Sequence, residues 1–302
     1  MRLRLCGAGL VAALALVAGG CGGGDAETGA AAAPISFEQL ARSATTSADA
    51  TSGRFSFDMS FSAPGADEPF ALSGEGAFDA PSKRASMSLD LSSLAKLLGG
   101  FLAGVAGSTS GDLPNLGDPA GWKIQVVQDG AVAYVRFPAL DDKLPAGKSW
   151  IRGDEGLSAN GFEFGQFTNN DPRQVLDALR GVTGDVQTVG TEDLRGVETT
   201  HYRALIDPTR VAKQAPGKDG QTAQSLFGQL TSESGLAEIP VDVWLDPDGL
   251  VRKLTLELTA TDPATSQSGS ATMSFELWDY GKAIAIDVPP ASQVVAAAAL
   301  HR

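Results

Sequence analysis

Along much of the chain, apolar and polar residues alternate one for one. Phe55, Phe57, Met59 and Phe61 are interleaved with Ser56, Asp58, Ser60 and Ser62. Successive side chains of a strand point to opposite faces, so this pattern puts large apolar groups on one face and polar groups on the other. The same period recurs from Phe70 and Leu72 to Phe78, and in Ala85-Met87-Leu89-Leu91. It returns in Ile124-Val126, which leads through the Asp129-Gly130 turn signal to Tyr134. Val197 to Ile206 reads as another strand. Val241-Val243-Leu245, Leu254-Leu256-Leu258, Met273-Phe275-Leu277 and Ile284-Ile286 follow, the last just before Pro289-Pro290. About ten or eleven strands are expected, each with one face toward a core.

Helices interrupt the strands at legible starts. Ser36 and Gln39 form a capping-box pattern ahead of Phe37, Leu40 and Ala44, which predicts a helix from Phe37 to Ala48. Asp171-Pro172 places a cap and a first-turn proline before a helix to about Arg180, and Asp207-Pro208 repeats the device before Val211. A third helical stretch is expected over Thr222 to Ser232. Hairpin-linked strands with segregated helices define an α+β fold, most simply a single curved sheet. The stretch Leu94 to Ala106 stands apart. It is apolar nearly all round, is interrupted by Gly99, Gly100 and Gly104, and is too short to span a bilayer. It is either a buried helix covering the sheet or an apolar flap whose glycines allow movement, and residues 107–121 read as a loop.

Composition narrows the chemistry. At 302 residues and 43% hydrophobic the chain can bury a substantial core, and its net charge of -13 argues against a polyanionic partner, so no nucleic acid is expected. Two His and two Cys are too few for a zinc cluster, and neither a metal site nor a cofactor is expected. No Gly-x-Ser-x-Gly elbow occurs; Gly107-Ser108-Thr109-Ser110-Gly111 has Thr at the nucleophile position. His201 has no motif supplying a nucleophile and an orienting acid, so it is expected to be a hydrogen-bonded structural residue. Asp246-Pro247-Asp248-Gly249 has the acid-x-acid-Gly core of a calcium loop. Leu250, Val251 and Arg252 occupy its later ligand positions, which makes it a hairpin turn. The adjacent acids Asp141/Asp142 and Asp154/Glu155 point to opposite sides of an extended chain and read as solvation. No catalytic residue is therefore expected. Trp122, Trp150, Trp244 and Trp278 fall on strands or strand edges, either as core packing or as the lining of a lipid or sugar cavity. Trp244, opposite Val243 and beside a turn, is expected to be half exposed.

The N-terminus carries an address. Arg2 and Arg4 precede the apolar stretch Leu5 to Val17, and Val17-Ala18-Gly19-Gly20-Cys21 follows, the layout of an export signal. The small residues before Cys21 resemble the bacterial lipobox. That resemblance implies removal of residues 1–20 and attachment of diacylglycerol to the Cys21 thiol. Cys6 would leave with the signal, so without lipidation Cys21 would be an unpaired thiol in an oxidising compartment. Two acyl chains suffice for stable membrane residence. The expected organisation is a signal peptide at 1–20, a Gly/Ala-rich tether at 21–35, one domain at 36–290 and a tail at 291–302. The protein would be lipid-anchored on the extracytoplasmic face of the cell membrane.

Three segments carry a family resemblance: Phe37 to Phe61, the hairpin Val241-Asp242-Val243-Trp244-Leu245-Asp246-Pro247-Asp248-Gly249-Leu250-Val251-Arg252-Lys253, and Phe275 to Val288. With the lipobox they make the chain resemble the LppX/LprG type of actinobacterial lipoprotein, which shares its architecture with LolA and RseB envelope proteins. The resemblance implies a strongly curved antiparallel half-barrel sheet wrapped around a few helices, with an apolar cavity for the acyl chains of a lipid or lipoglycan. Strand alternation turns Phe55, Phe57, Met59, Phe61, Leu72, Leu256, Leu258, Phe275 and Leu277 toward the helices or the cavity. Leu94, Leu97, Leu98, Phe101 and Leu102 form its flap. The alternative is an RseB-like, non-enzymatic sensing module with a filled interior and an envelope protein as partner.

Overall fold

The computed structural model describes residues 34–62, 69–93, 95, 96, 122–153, 158, 159, 162, 163, 176, 179–207, 210, 238–261 and 268–300. Helix α1 (Phe37–Ala48) forms where the capping box predicts it: the Ser36 hydroxyl accepts from the Gln39 backbone N–H, and the Gln39 side chain accepts from the Ser36 N–H at 2.7 Å. Leu40, Ala44 and Ser47 are its buried residues, a stripe at helical spacing.

Fourteen strands occur among the described residues. They are β1 (Ser52–Ser62), β2 (Phe70–Asp79), β3 (Arg84–Asp90), β4 (Lys123–Asp129), β5 (Val132–Arg136), β6 (Trp150–Gly153), β7 (Ser158–Ala159), β8 (Phe162–Glu163), β9 (Val182–Leu194), β10 (Val197–Ile206), β11 (Ile239–Leu245), β12 (Val251–Thr261), β13 (Ser268–Trp278) and β14 (Val294–Ala296). Twelve build one open curved sheet in the order β14-β6-β5-β4-β3-β2-β1-β13-β12-β11-β10-β9, while β7 and β8 pair separately. All pairings in the large sheet are antiparallel except β14 with β6.

Strand β1 lies between β13 and β2, and its register sets the two faces. Phe55 stands between Leu277 and Gly76, Phe57 between Phe275 and Gly74, Met59 between Met273 and Leu72, and Phe61 between Ala271 and Phe70. This inner face carries the main hydrophobic core, which includes Leu40 and Ala44 of α1. The helix packs on β9 and β12, and the Ser47 hydroxyl accepts from the Val251 N–H at 2.8 Å. Gly76 is required by space: a Cβ there would meet the Ser86 carbonyl at 2.3 Å and the Phe55 ring at 2.5 Å.

After β13 the chain crosses the outer face as a strap. The Gly281 N–H donates to the Ser52 carbonyl at 3.0 Å, Arg84 donates to the Ile286 carbonyl, and Ile286 is buried against Ala77 and Val127. The strap ends in β14, where the Ser149 N–H donates to the Gln293 carbonyl and Val294 is in register with Trp150.

Several expectations are corrected. Ile284-Ile286 is not a strand, because its apolar groups plug the outer face and its backbone joins no ladder. Residues 291–302, expected as a tail, supply β14. The strands outnumber the expected ten or eleven because β6, β9 and β14 lack a clear apolar alternation and β7 and β8 are only two residues long, too short to show one. The predicted helix at Asp171 to Arg180 lies mostly outside the described residues, although Leu176 and Leu179 are fully buried in the core. Helices expected after Asp207 and over Thr222 to Ser232 lie outside them, Arg210 apart.

Candidate functional site

The inner face changes character along its strands. At one end Phe55, Phe78 and Leu277 are buried, and the Phe275 ring stacks between those of Phe55 (6.2 Å) and Phe57 (5.6 Å). Farther along, Met59, Leu72, Met273 and Ala271 are only half-buried, and Phe61 is 36% exposed with its ring 5.9 Å from that of Phe70. These six residues are adjacent across β13, β1 and β2, so they form one continuous apolar strip. Leu256 and Leu258 on β12 are buried beside it. Of the predicted cavity residues, the structure therefore brings Phe55, Phe57, Met59, Phe61, Leu72, Leu256, Leu258, Phe275 and Leu277 onto one face. Leu94, Leu97, Leu98, Phe101, Leu102 and the lipidation candidate Cys21 lie outside the described residues.

The outer face is polar and cross-linked. His201 stacks on Trp244 with ring centroids 4.2 Å apart, its Nε2 lies 2.6 Å from Asp242 Oδ1, and Arg203 donates to the same oxygen at 3.0 Å. Trp244 donates to Glu192 and lies under the Lys253 ammonium. It is only 7% exposed, which corrects the expectation of half exposure: the His201 ring and the Lys253 side chain, its ammonium 4.6 Å from the ring centroid, cover an indole that alternation alone would leave in water. His201 is a structural, hydrogen-bonded residue. Asp246 is likewise consumed by its turn. Its carboxylate accepts from the Asp248 and Leu250 N–H groups and from Arg252 at 2.6 Å, and its side chain is 1% exposed. Tyr280 donates to the Val251 carbonyl at 2.6 Å, and burial pushes its phenol above the ordinary range.

Trp122 is buried in the inner core, edge-on to Phe137. Trp150 and Trp278 instead line a cavity of about 340 Å³ on the outer face, with Arg54, Glu75, Ser88 and Gln125 among its floor residues. A second cavity of about 170 Å³ lies on the other side of Trp278, beside Arg195. Alternation names the residues of the outer face but not the hollow, which depends on where the strap crosses. Among the described residues, no group of His, Cys, Asp and Glu could hold a metal ion, and no helix is long and apolar enough to cross a membrane.

Together these features define an open, curved, mostly antiparallel sheet with helix α1 on an apolar inner face and a strap over a polar outer one. No protein-family model matches the sequence. A Streptomyces griseus protein, described as an uncharacterized 31.2 kDa protein in the rplA-rplJ intergenic region, is 30% identical over 155 residues, which span 49% of this chain. The chain thus matches about half, 48%, of that relative's length. Among solved structures, the chain is similar to the Mycobacterium tuberculosis lipoprotein LppX, at 13% identity and a TM-score of 0.42 over 83% of this chain and 96% of that one. It is also similar to LprF from Mycobacterium bovis, at 11% identity and a TM-score of 0.42 over 84% and 96%. A LolA superfamily protein from Nitrosomonas europaea aligns at 7% identity and a TM-score of 0.25, over 83% and 96%.

Proposed function

We propose that this chain is a lipid-anchored protein of the cell envelope. It binds the acyl chains of a lipid or lipoglycan on the inner face of its sheet, for transport or presentation. The observation that carries the proposal is the half-buried strip of Met59, Phe61, Phe70, Leu72, Met273 and Ala271, which runs without a break into the packed core. Each methylene moved from water onto such a surface contributes about 0.8 kcal/mol, so no catalytic group is needed to hold a lipid. On this reading the curved sheet wraps the helices of the domain at 36–290, and Leu94, Leu97, Leu98, Phe101 and Leu102 cover the bound chain. Residues 1–20 direct export, and residues 21–35, with diacylglycerol on Cys21, tether the domain to the extracytoplasmic face.

The test is native mass spectrometry with organic extraction on the full chain carrying Cys21→Ser, purified without detergent from its own host. A bound species of lipid mass, lost from Phe61→Asp and Met273→Asp variants that keep the parent's thermal midpoint, is the expected result. A clean apo mass, together with failure to take up a fluorescent fatty acid, overturns the proposal and favours a protein-interaction module.

A further inference from the structure

We propose that the outer-face cavity between Trp150 and Trp278 is a binding site for a neutral oligosaccharide. It lies on the opposite face from the apolar strip and is independent of it. Its floor consists of two adjacent rows of outward-facing residues, Trp278-Arg54-Ala77-Ser86-Val127 and Ser56-Glu75-Ser88-Gln125, set by the registers of β13, β1, β2, β3 and β4. Trp150 packs against the buried cluster of Ala77, Val127 and the strap residue Ile286.

Three features select the ligand class. The two indoles are held before anything binds, Trp278 by the Arg195 guanidinium 3.8 Å from its ring and Trp150 by the cluster of Ala77, Val127 and Ile286, so they serve as apolar platforms that lose little freedom on binding. A sugar ring offers such a platform its C–H face and turns its hydroxyls to the sides, where Glu75, Gln125, Ser86 and Ser88 supply donors and acceptors. Among the described residues none of these four side chains is engaged in a hydrogen bond. Arg54 is shared with Asp279 at 3.4 Å, and Arg136, which is in register with Gln125 on β5, is shared with Asp141 at 4.0 Å, so Glu75 is the unmatched charge at the floor and an anionic ligand gains little attraction.

The competing occupants fit poorly. An acyl chain would strip water from Glu75 and Gln125 without replacing their hydrogen bonds. A peptide added as a strand needs a free sheet edge, whereas β1, β2, β3 and β4 are each paired on both sides, so the floor presents side chains only. The length suits an oligomer. Trp278 on β13 and Trp150 on β6 are separated by six strand steps in the sheet order, a path of roughly 29 Å along the curved sheet at the usual spacing.

The test uses the full chain carrying Cys21→Ser and neutral gluco-, manno-, galacto- and xylo-oligosaccharides, followed by titration calorimetry and tryptophan fluorescence. At least one probe is expected to bind and to perturb the fluorescence. Its affinity should fall about tenfold or more in Trp150→Ala and in Gln125→Ala, and stay unchanged in Val189→Ala on β9. Because Trp150 also packs under the strap, Gln125→Ala and Ser88→Ala, which remove no buried apolar group, decide the outcome if Trp150→Ala unfolds. Absence of binding by every probe overturns the proposal. So does equal binding by the Gln125 and Ser88 variants, or displacement of the sugar by an extended neutral peptide. None of the probes carries an acyl chain, so failure of lipid binding at the inner strip leaves this result untouched.

Discussion

Phe55 and Phe61 are the same residue type on the same face of the same strand, about 20 Å apart. One is 3% exposed and the other 36%. Period two decides which way a side chain points, and both point inward. How deeply it is buried depends on what lies across from it: Phe55 has Leu277 beside it and the Phe275 ring stacked near it, whereas Phe61 has Ala271 on one side and the half-buried Phe70 on the other. The largest expected effect follows from this contrast. Phe275→Ala removes the ring at the centre of the three-phenyl stack and should cost about 3–5 kcal/mol in chemical denaturation. Phe61→Ala should cost less than about 1 kcal/mol. Equal losses would mean that the two ends are packed alike and that the strip is ordinary core.

Glycines extend the comparison to the backbone. At Gly76 an added Cβ would meet a carbonyl oxygen of the neighbouring strand, and backbone cannot swing aside as a side chain can. Gly76→Ala is therefore expected to destabilise by about 1–3 kcal/mol. Gly190 on the edge strand β9 has open space around the same position and no positive φ. Gly190→Ala should be neutral or stabilising, by up to about 1 kcal/mol, because it restricts the unfolded chain. Thermal melts of the two variants separate close strand approach from a general dislike of change in the sheet.

Much of this was legible in the chain, for reasons that were local. The bounds of α1 follow from a cap whose partners are three residues apart, and the β11–β12 turn follows from Asp246 and Gly249, the latter at φ +78°. The inward set Phe55, Phe57, Met59 and Phe61 follows from alternation within one strand. What could not be read depends on contacts distant in sequence. Trp244 is covered by His201, 43 positions upstream yet stacked on it, and Ile286 looks like a strand residue until Ala77 and Val127 are placed beneath it. Strand β14 pairs with β6 across more than a hundred residues, and no pattern within Val294–Ala296 announces it. The inner strip was foreseeable as a face but not as a gradient; for Trp150 and Trp278 the lining of a cavity was one of two open readings, and which strands would floor the outer hollow depends on registers that alternation does not supply.

The smallest effect concerns two carboxylates at opposite ends of the sheet. Asp279, just beyond β13 at the closed end, accepts from the Lys282 ammonium at 2.6 Å, and that hydrogen bond holds its carboxyl below the ordinary range, with Arg54 adding to the effect. Asp90 ends β3 toward the open end. Partial burial pushes its carboxyl up, but hydrogen bonds from Ser92 and the nearby Lys123 ammonium, 3.5 Å away, outweigh it and hold the group down. A carboxyl depressed by folding stabilises the native state above its unfolded pKa. That stabilisation is lost as pH falls through the native value, because the unfolded chain takes up the proton first. Both ends should therefore weaken on acidification below about pH 4. Substituting the cations separates them. In carboxyl-detected NMR titrations, Lys282→Ala should raise the Asp279 midpoint toward the ordinary value and leave Asp90 in place, and Lys123→Ala should do the reverse. A simultaneous shift of both midpoints in either variant would show that the two ends respond as one electrostatic unit, and would remove the distinction between a closed end and an open one at the level of the rim.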